Sequence, residues 1–154
     1  MSYYVKMIGA HDLPLSNTPF EDRPELLDRV RFPRDQFPRE MRRGDELIYY
    51  AVGGYKGIFA IAQLTGDPER DVDEDIEPER LRRWPHAASV DFRVRLRFVD
   101  SGPALADEGR SLQGQVGQGV SHFEIGRPEF ERAYDLLRKA KVAEDQKMRL
   151  GVRG

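Results

Sequence analysis

The cleanest hydrophobic alternation in the chain is SVDFRVRLRFV, residues 89–99. Val90, Phe92, Val94, Leu96 and Phe98 alternate with Asp91, Arg93, Arg95 and Arg97, and a period of two places these sets on opposite faces of a strand. A second signal is the least charged run, LIYYAVGGYKGIFAIAQL (Leu47 to Leu64). MRRGDELIYYAV enters a strand through a Gly-Asp turn, Gly53 and Gly54 connect a hairpin, and YKGIFAIAQL forms the next strand. Both faces of this pair are apolar, as expected where a strand is covered on each side. Tyr49 and Tyr50 are neighbours on one strand and therefore point to opposite faces. One is read as core and the other, Tyr50, as a pocket wall.

YYVKMI (Tyr3 to Ile8) and VSHFEI (Val120 to Ile125) mix aromatic and β-branched residues and read as further strands. RPEFERAYDLLRKAK reads as a closing amphipathic helix, with Phe130, Tyr134 and Leu137 on one stripe and Pro128 in the first turn. Between Gly9 and Pro38 five prolines break the chain, and only PELLDRVR (Pro24 to Arg31) has helical character there. A short helical turn is expected at PERLRRW (Pro78 to Trp84) and another near Ala104 to Glu108. GQVGQG (Gly114 to Gly119) lacks the spacing of a phosphate cradle and reads as a flexible loop. EDQKMRLGVRG reads as a fraying tail. Short strands, few helices and long connections predict an α+β fold: a small, mainly antiparallel β-barrel of five to six strands with flanking helices. Residues 1–145 are expected to form one domain and 146–154 a C-terminal tail.

No apolar run approaches the roughly 18 residues needed to span a membrane, so a soluble protein without a membrane partner is expected. The first residues lack a basic segment followed by an apolar stretch, and no secretory signal is expected. With no cysteine, disulfides and thiolate metal sites are excluded, and a reducing cytoplasm is the expected compartment. His11, His86 and His122 stand at no metal-ligand spacing, so neither a metal nor a cofactor is expected. The net charge of −2 argues against a bulk polyanion binder. Of 25 basic residues 20 are arginine, which either reflects GC-rich codons or suits phosphate recognition. The acidic stretch DPERDVDEDIEPE (Asp67 to Glu79) reads as a solvated loop.

Arg93, Arg95 and Arg97 have two readings, as the solvent face of an antiparallel strand or as forks about 6–7 Å apart that match phosphate spacing. Trp84, beside Pro85 and His86, sits at a rim position from which it could stack on a planar base together with Tyr49 or Tyr50.

The order of these segments resembles the EVE domains of the PUA-like superfamily, of which YTH domains are cousins. The short aromatic first strand, RRGDELIYYAVGGYKGIFAIAQL, the acidic loop, the tryptophan leading into SVDFRVRL, and GVSHFEIGRPEFERAYDLL carry the resemblance over most of the chain. It implies a PUA-like barrel whose pocket accepts a flipped-out, often methylated, base. Tyr49, Tyr50 and Trp84 would form the pocket wall, Met7, Ile8 and Gly9 its floor, and Ser121 and His122 its mouth, with Arg93, Arg95 and Arg97 on phosphates. One departure stands out: many bacterial EVE domains carry Ser-Glu-Pro after the first strand, where this chain has GAHDLP. The implied function is a non-enzymatic module that binds DNA or RNA carrying methylated cytosine or adenine, with other proteins as a further partner class. The alternative is an ASCH-like hydrolase of modified nucleosides, with Glu46, Asp45, Lys6 and His122 as candidate acids and bases.

Overall fold

A computed structural model describes residues 1–8, 29–51, 57–70, 78–98, 102–103 and 121–151. In chain order the elements are β1 (Tyr3–Ile8), β2 (Arg29–Phe32), β3 (Glu46–Ala51), β4 (Gly57–Leu64), β5 (Glu69–Arg70), α1 (Pro78–Arg83), β6 (His86–Arg95), β7 (His122–Ile125) and α2 (Arg127–Arg149). The strands form one mixed sheet in the order β2-β6-β4-β3-β1-β7, with β5 paired to β6. Every pairing is antiparallel except β1 with β3. A parallel neighbour demands a long crossover, and the proline-broken stretch between Ile8 and Glu46 supplies it while adding β2 at the far edge.

The Gly-Asp turn forms as the sequence predicts. Gly44 takes a φ of +97°, which favours glycine, and the buried Asp45 then knits the turn together. Its carboxylate accepts hydrogen bonds from the backbone N–H of Ser2 and of Arg42, both at 2.9 Å. Beyond the turn, all six residues of β3 are buried, as are seven of the eight in β4, so the pair is covered on both faces. Two bulges bend it. Phe59 is the extra residue opposite the step from Tyr49 to Tyr50, and Arg93 is the extra residue opposite the step from Ile61 to Ala62. Each sharpens the local twist, and the sheet curls into a half-barrel.

The curl separates two faces. On the outer one, Tyr3 stands beside Glu46 in register and stacks on Phe130 of α2 at 4.5 Å between ring centroids. On the inner one, Tyr49 meets Phe59 and Phe92 edge-on at 5.9 and 5.4 Å, and the Lys6 ammonium lies 5.5 Å over the Phe32 ring. The ends of the sheet approach each other where the Ser121 N–H donates to the Gln36 side-chain oxygen at 2.6 Å.

Three elements differ from the sequence reading. Arg29–Arg31, expected in a helix, lie in β2, because Val30 and Phe32 bury against the sheet at the spacing of a strand. The acidic stretch contributes β5. The expected tail is helical as far as Arg149, where Glu144 turns inward and Lys147 and Arg149 complement the helix dipole. Gly9, the Gly53-Gly54 connection, residues 24–28, most of the acidic loop, residues 104–108 and GQVGQG lie outside the described residues. Among the described residues no helix is long and apolar enough to cross a membrane, and no group of three or more His, Cys, Asp or Glu side chains is gathered as a metal site would require.

Candidate functional site

Beyond β2 the chain turns through Pro33 to Met41 and crosses the edge of β1 and β7. Pro33 and Pro38 bar regular pairing here, and short turns take over: Gln36 N–H donates to Pro33 O, and Met41 N–H to Pro38 O. Between this segment and the strands lies a cleft of about 360 Å³ lined by Tyr4, Phe37, Pro38, Met41, His122 and Glu124, with Arg39 and Glu40 also on its wall. Its size and its mixture of rings with a few polar groups suit a small planar ligand.

Behind the His122 wall of this cleft runs a short chain of polar contacts. Ser121, which is buried, accepts the Met7 N–H on its carbonyl at 2.9 Å, and its hydroxyl lies 2.7 Å from His122 Nδ1. His122 is half-buried, with its ring edge-on to Phe32 at 5.2 Å and to Tyr4 at 6.5 Å. Burial, reinforced by the Lys6 ammonium, pushes the imidazole down to about 4, so it is neutral at pH 7. Lys6, itself buried, donates to its neighbour's carbonyl, Met7 O, at 2.8 Å. A serine within reach of a histidine has the outline of a nucleophile and its base. An imidazole that resists protonation is, however, a poor base, and the pair is better suited to holding a hydrogen bond than to moving a proton.

Other candidates are dispersed. Tyr49 is fully buried, and its hydroxyl has no partner among the described residues. Tyr50 is 2% exposed, and burial raises its pKa as it does for Tyr49. Neither tyrosine lines the cleft described above. Trp84 is half-buried just before β6, and its carbonyl accepts a hydrogen bond from Arg31 at 3.0 Å. Met7 and Ile8 are buried at the end of β1. Of the expected pocket residues only His122 lines this cleft, and the buried Ser121 stands behind it in contact with the ring.

The arginines do not share one face as expected: the bulge at Arg93 shifts the alternation, so Arg95 lies opposite Ala60 on the side of Tyr49, whereas Arg93 reaches Glu46 on the outer face. Arg93, 45% exposed, pairs with the buried Glu46 carboxylate and lies over the Tyr134 ring of α2. Arg95 lies over Phe92 and Arg97 over Phe98. Asp45 and Glu46 thus hold a turn and an ion pair. A second cleft, of about 470 Å³, opens along α2 between Tyr3, Arg93, Phe130, Tyr134 and Arg138. Sequence reasoning missed Tyr4, Gln36 and Phe37. The signal available for them was the density of aromatic residues flanking the prolines from Phe32 to Pro38.

No family model and no curated protein matches the sequence. Solved structures do match the fold. The Agrobacterium tumefaciens protein Atu2648 aligns at 12% identity and a TM-score of 0.55, covering 91% of this chain and 93% of that one. Human THYN1, solved in complex with DNA containing 5-methylcytosine, aligns at 14% identity and a TM-score of 0.54, covering 89% and 98%. The fold is PUA-like. The YTH domain of Zygosaccharomyces rouxii MRB1, solved with N6-methyladenosine RNA, shares the same PUA-like architecture at 12% identity and a TM-score of 0.57, covering 88% and 87%. At such identities the likeness speaks for the fold and leaves the site to be argued from its own residues.

Proposed function

We propose that this protein binds a modified base turned out of DNA or RNA, and that the base enters the cleft between Phe37 and the edge of β1 and β7. The carrying observation is the cleft itself, a concave space of about 360 Å³ whose wall combines Tyr4, Phe37 and His122 with the polar atoms of Glu124 and Arg39. Two proteins with this fold were solved with methylated nucleic acid, which supports the same class of partner here. Turning a base out of its stack costs a few kcal/mol, and contact with aromatic faces offsets that cost. Arg39, exposed on the cleft wall, is suited to a flanking phosphate. Arg95 and Arg97 are proposed as further backbone contacts, and Arg93 is left out because it holds the buried Glu46 carboxylate.

The test is fluorescence anisotropy with labelled DNA and RNA oligonucleotides that carry 5-methylcytosine, N6-methyladenine or no modification. Tighter binding to one modified oligonucleotide is expected. Phe37→Ala should weaken it by about 1–3 kcal/mol, without unfolding the protein, because Phe37 is 40% exposed. Equal or absent binding across the whole panel would defeat the proposal.

A further inference from the structure

Ser121 and His122 form a unit whose proton placement can be worked out from the contacts around it. The Ser121 hydroxyl has one proton, and its only described side-chain partner is His122 Nδ1, 2.7 Å away. If Nδ1 carried the ring proton, it would donate to the hydroxyl and leave that buried group's own proton without an acceptor among the described residues. The arrangement that uses the proton has the hydroxyl donating to a bare Nδ1, so the neutral ring carries its hydrogen on Nε2. Nε2 has no hydrogen-bond partner among the described residues, and it is not one of the atoms there that are both sealed from solvent and unpartnered, which are Tyr49 Oη and His86 Nδ1. His122 lines the cleft, and Nε2 is its one nitrogen without a hydrogen-bond partner among the described residues.

We propose that His122, held by Ser121 as the Nε2–H tautomer, reads the edge of the bound base by donating to a ring nitrogen, and so selects neutral bases that present a bare ring nitrogen. This rests on the base-binding reading above and names its ligand class. Two surroundings reinforce the selection. The Lys6 ammonium beneath the ring of Phe32 makes the inner face of the sheet unfavourable to a positively charged base. Burial, reinforced by the same charge, keeps His122 from becoming an imidazolium near neutral pH, so the number of donors at the ring does not change there. A base methylated on its acceptor nitrogen, and therefore cationic, would lose the hydrogen bond and meet the Lys6 charge.

The experiment has a spectroscopic arm and a binding arm. In the free protein, long-range proton–nitrogen NMR of the imidazoles should show His122 protonated on Nε2, and Ser121→Ala should shift it toward a mixture of tautomers. In anisotropy titrations near pH 7, oligonucleotides bearing 5-methylcytosine should bind at least about tenfold more tightly than ones bearing cationic 3-methylcytosine. His122→Phe, which keeps a ring and removes the donor, should erase most of that margin, and His122→Gln, which keeps a donor, should preserve part of it. A proton found on Nδ1, or a margin unchanged in His122→Phe, overturns the inference while leaving base binding intact. Failure of the wild-type protein to bind any modified oligonucleotide overturns the base-binding reading and this inference with it.

Discussion

Replacing Tyr49 by phenylalanine should stabilise the protein. The ring is fully buried and packs edge-on against Phe59 and Phe92, and nothing described accepts or donates to its hydroxyl. Burying an unpaired hydroxyl costs about 1–3 kcal/mol, and the substitution removes that cost. What it leaves is a void the size of one oxygen, about 15 Å³, worth about 0.4 kcal/mol on the scale of residual cavities. The net gain is therefore about 0.5–2.5 kcal/mol. For a chain of 154 residues, a gain of 1 kcal/mol raises Tm by about 2–4 °C. Urea unfolding followed by far-UV circular dichroism would measure it, since a midpoint shift at constant slope reports stability alone. Tyr49→Ala, which deletes the ring, should instead lose about 3–5 kcal/mol and so calibrates the packing contribution. A loss of 1 kcal/mol or more in Tyr49→Phe would refute the reasoning, because it would mean that the hydroxyl makes a hydrogen bond. The same variant bears on the site: if the hydroxyl served a pocket, oligonucleotide binding would fall as stability rose.

Further outcomes follow from the buried charges. Arg93→Ala should destabilise more than Glu46→Gln, by about 1 kcal/mol or more in denaturant titrations, because the first leaves a buried carboxylate without its partner and the second leaves a half-exposed guanidinium that water can solvate. Glu144→Ala should cost about 2 kcal/mol and speed hydrogen exchange at the amides of residues 97 and 98, which donate to that carboxylate. Acid should weaken the fold through His122: its pKa is about 4 in the folded state, below the ordinary 6.5, so the unfolded chain takes up the proton first. This contribution is intact above pH 6.5, declines as pH falls toward 4, and amounts to about 1–2 kcal/mol once the ring's partial contact with water is allowed for. His122→Phe should flatten the stability profile across that window.

Much of the sheet was legible because its strands are strongly patterned. The alternation that begins at Val90 marks β6, which ends at Arg95, short of Phe98; the aromatic β-branched run from Tyr3 to Ile8 is β1, and the apolar run on both sides of Gly53 marks β3 and β4, whose faces are both covered. β2 was not legible, since RVRF is only four residues long and follows a segment of helical composition. Nor was the fate of the arginine face. Alternation puts Arg93 opposite Phe92, but the bulge at Arg93 and the helix laid over that face are tertiary facts that no local period contains. The double tyrosine shows the same limit from the other side. Alternation separates the two rings correctly and the apolar faces predict cover on each side, yet neither says that the cover leaves Tyr50 as buried as Tyr49.

The buried polar residues explain why the cleft lies where it does. Asp45 fastens the turn before β3 to Ser2 at the start of the chain, Glu46 fastens β3 to β6, and Glu144 fastens the far end of α2 to the end of β6. Each joins segments distant in sequence, and each places a carboxylate where an apolar side chain would have packed more cheaply. Ser121 belongs to this group, but its position differs. Its N–H holds Gln36, its carbonyl holds Met7, and its hydroxyl holds His122, so one residue closes the curled sheet and also orients the ring on the cleft wall. The closure of the barrel and the proposed recognition of a base are therefore coupled through Ser121. Ser121→Ala keeps both backbone hydrogen bonds and removes the third, so it should alter the tautomer of His122 with little change in fold stability, while loss of the Gln36 side chain should loosen the edge itself.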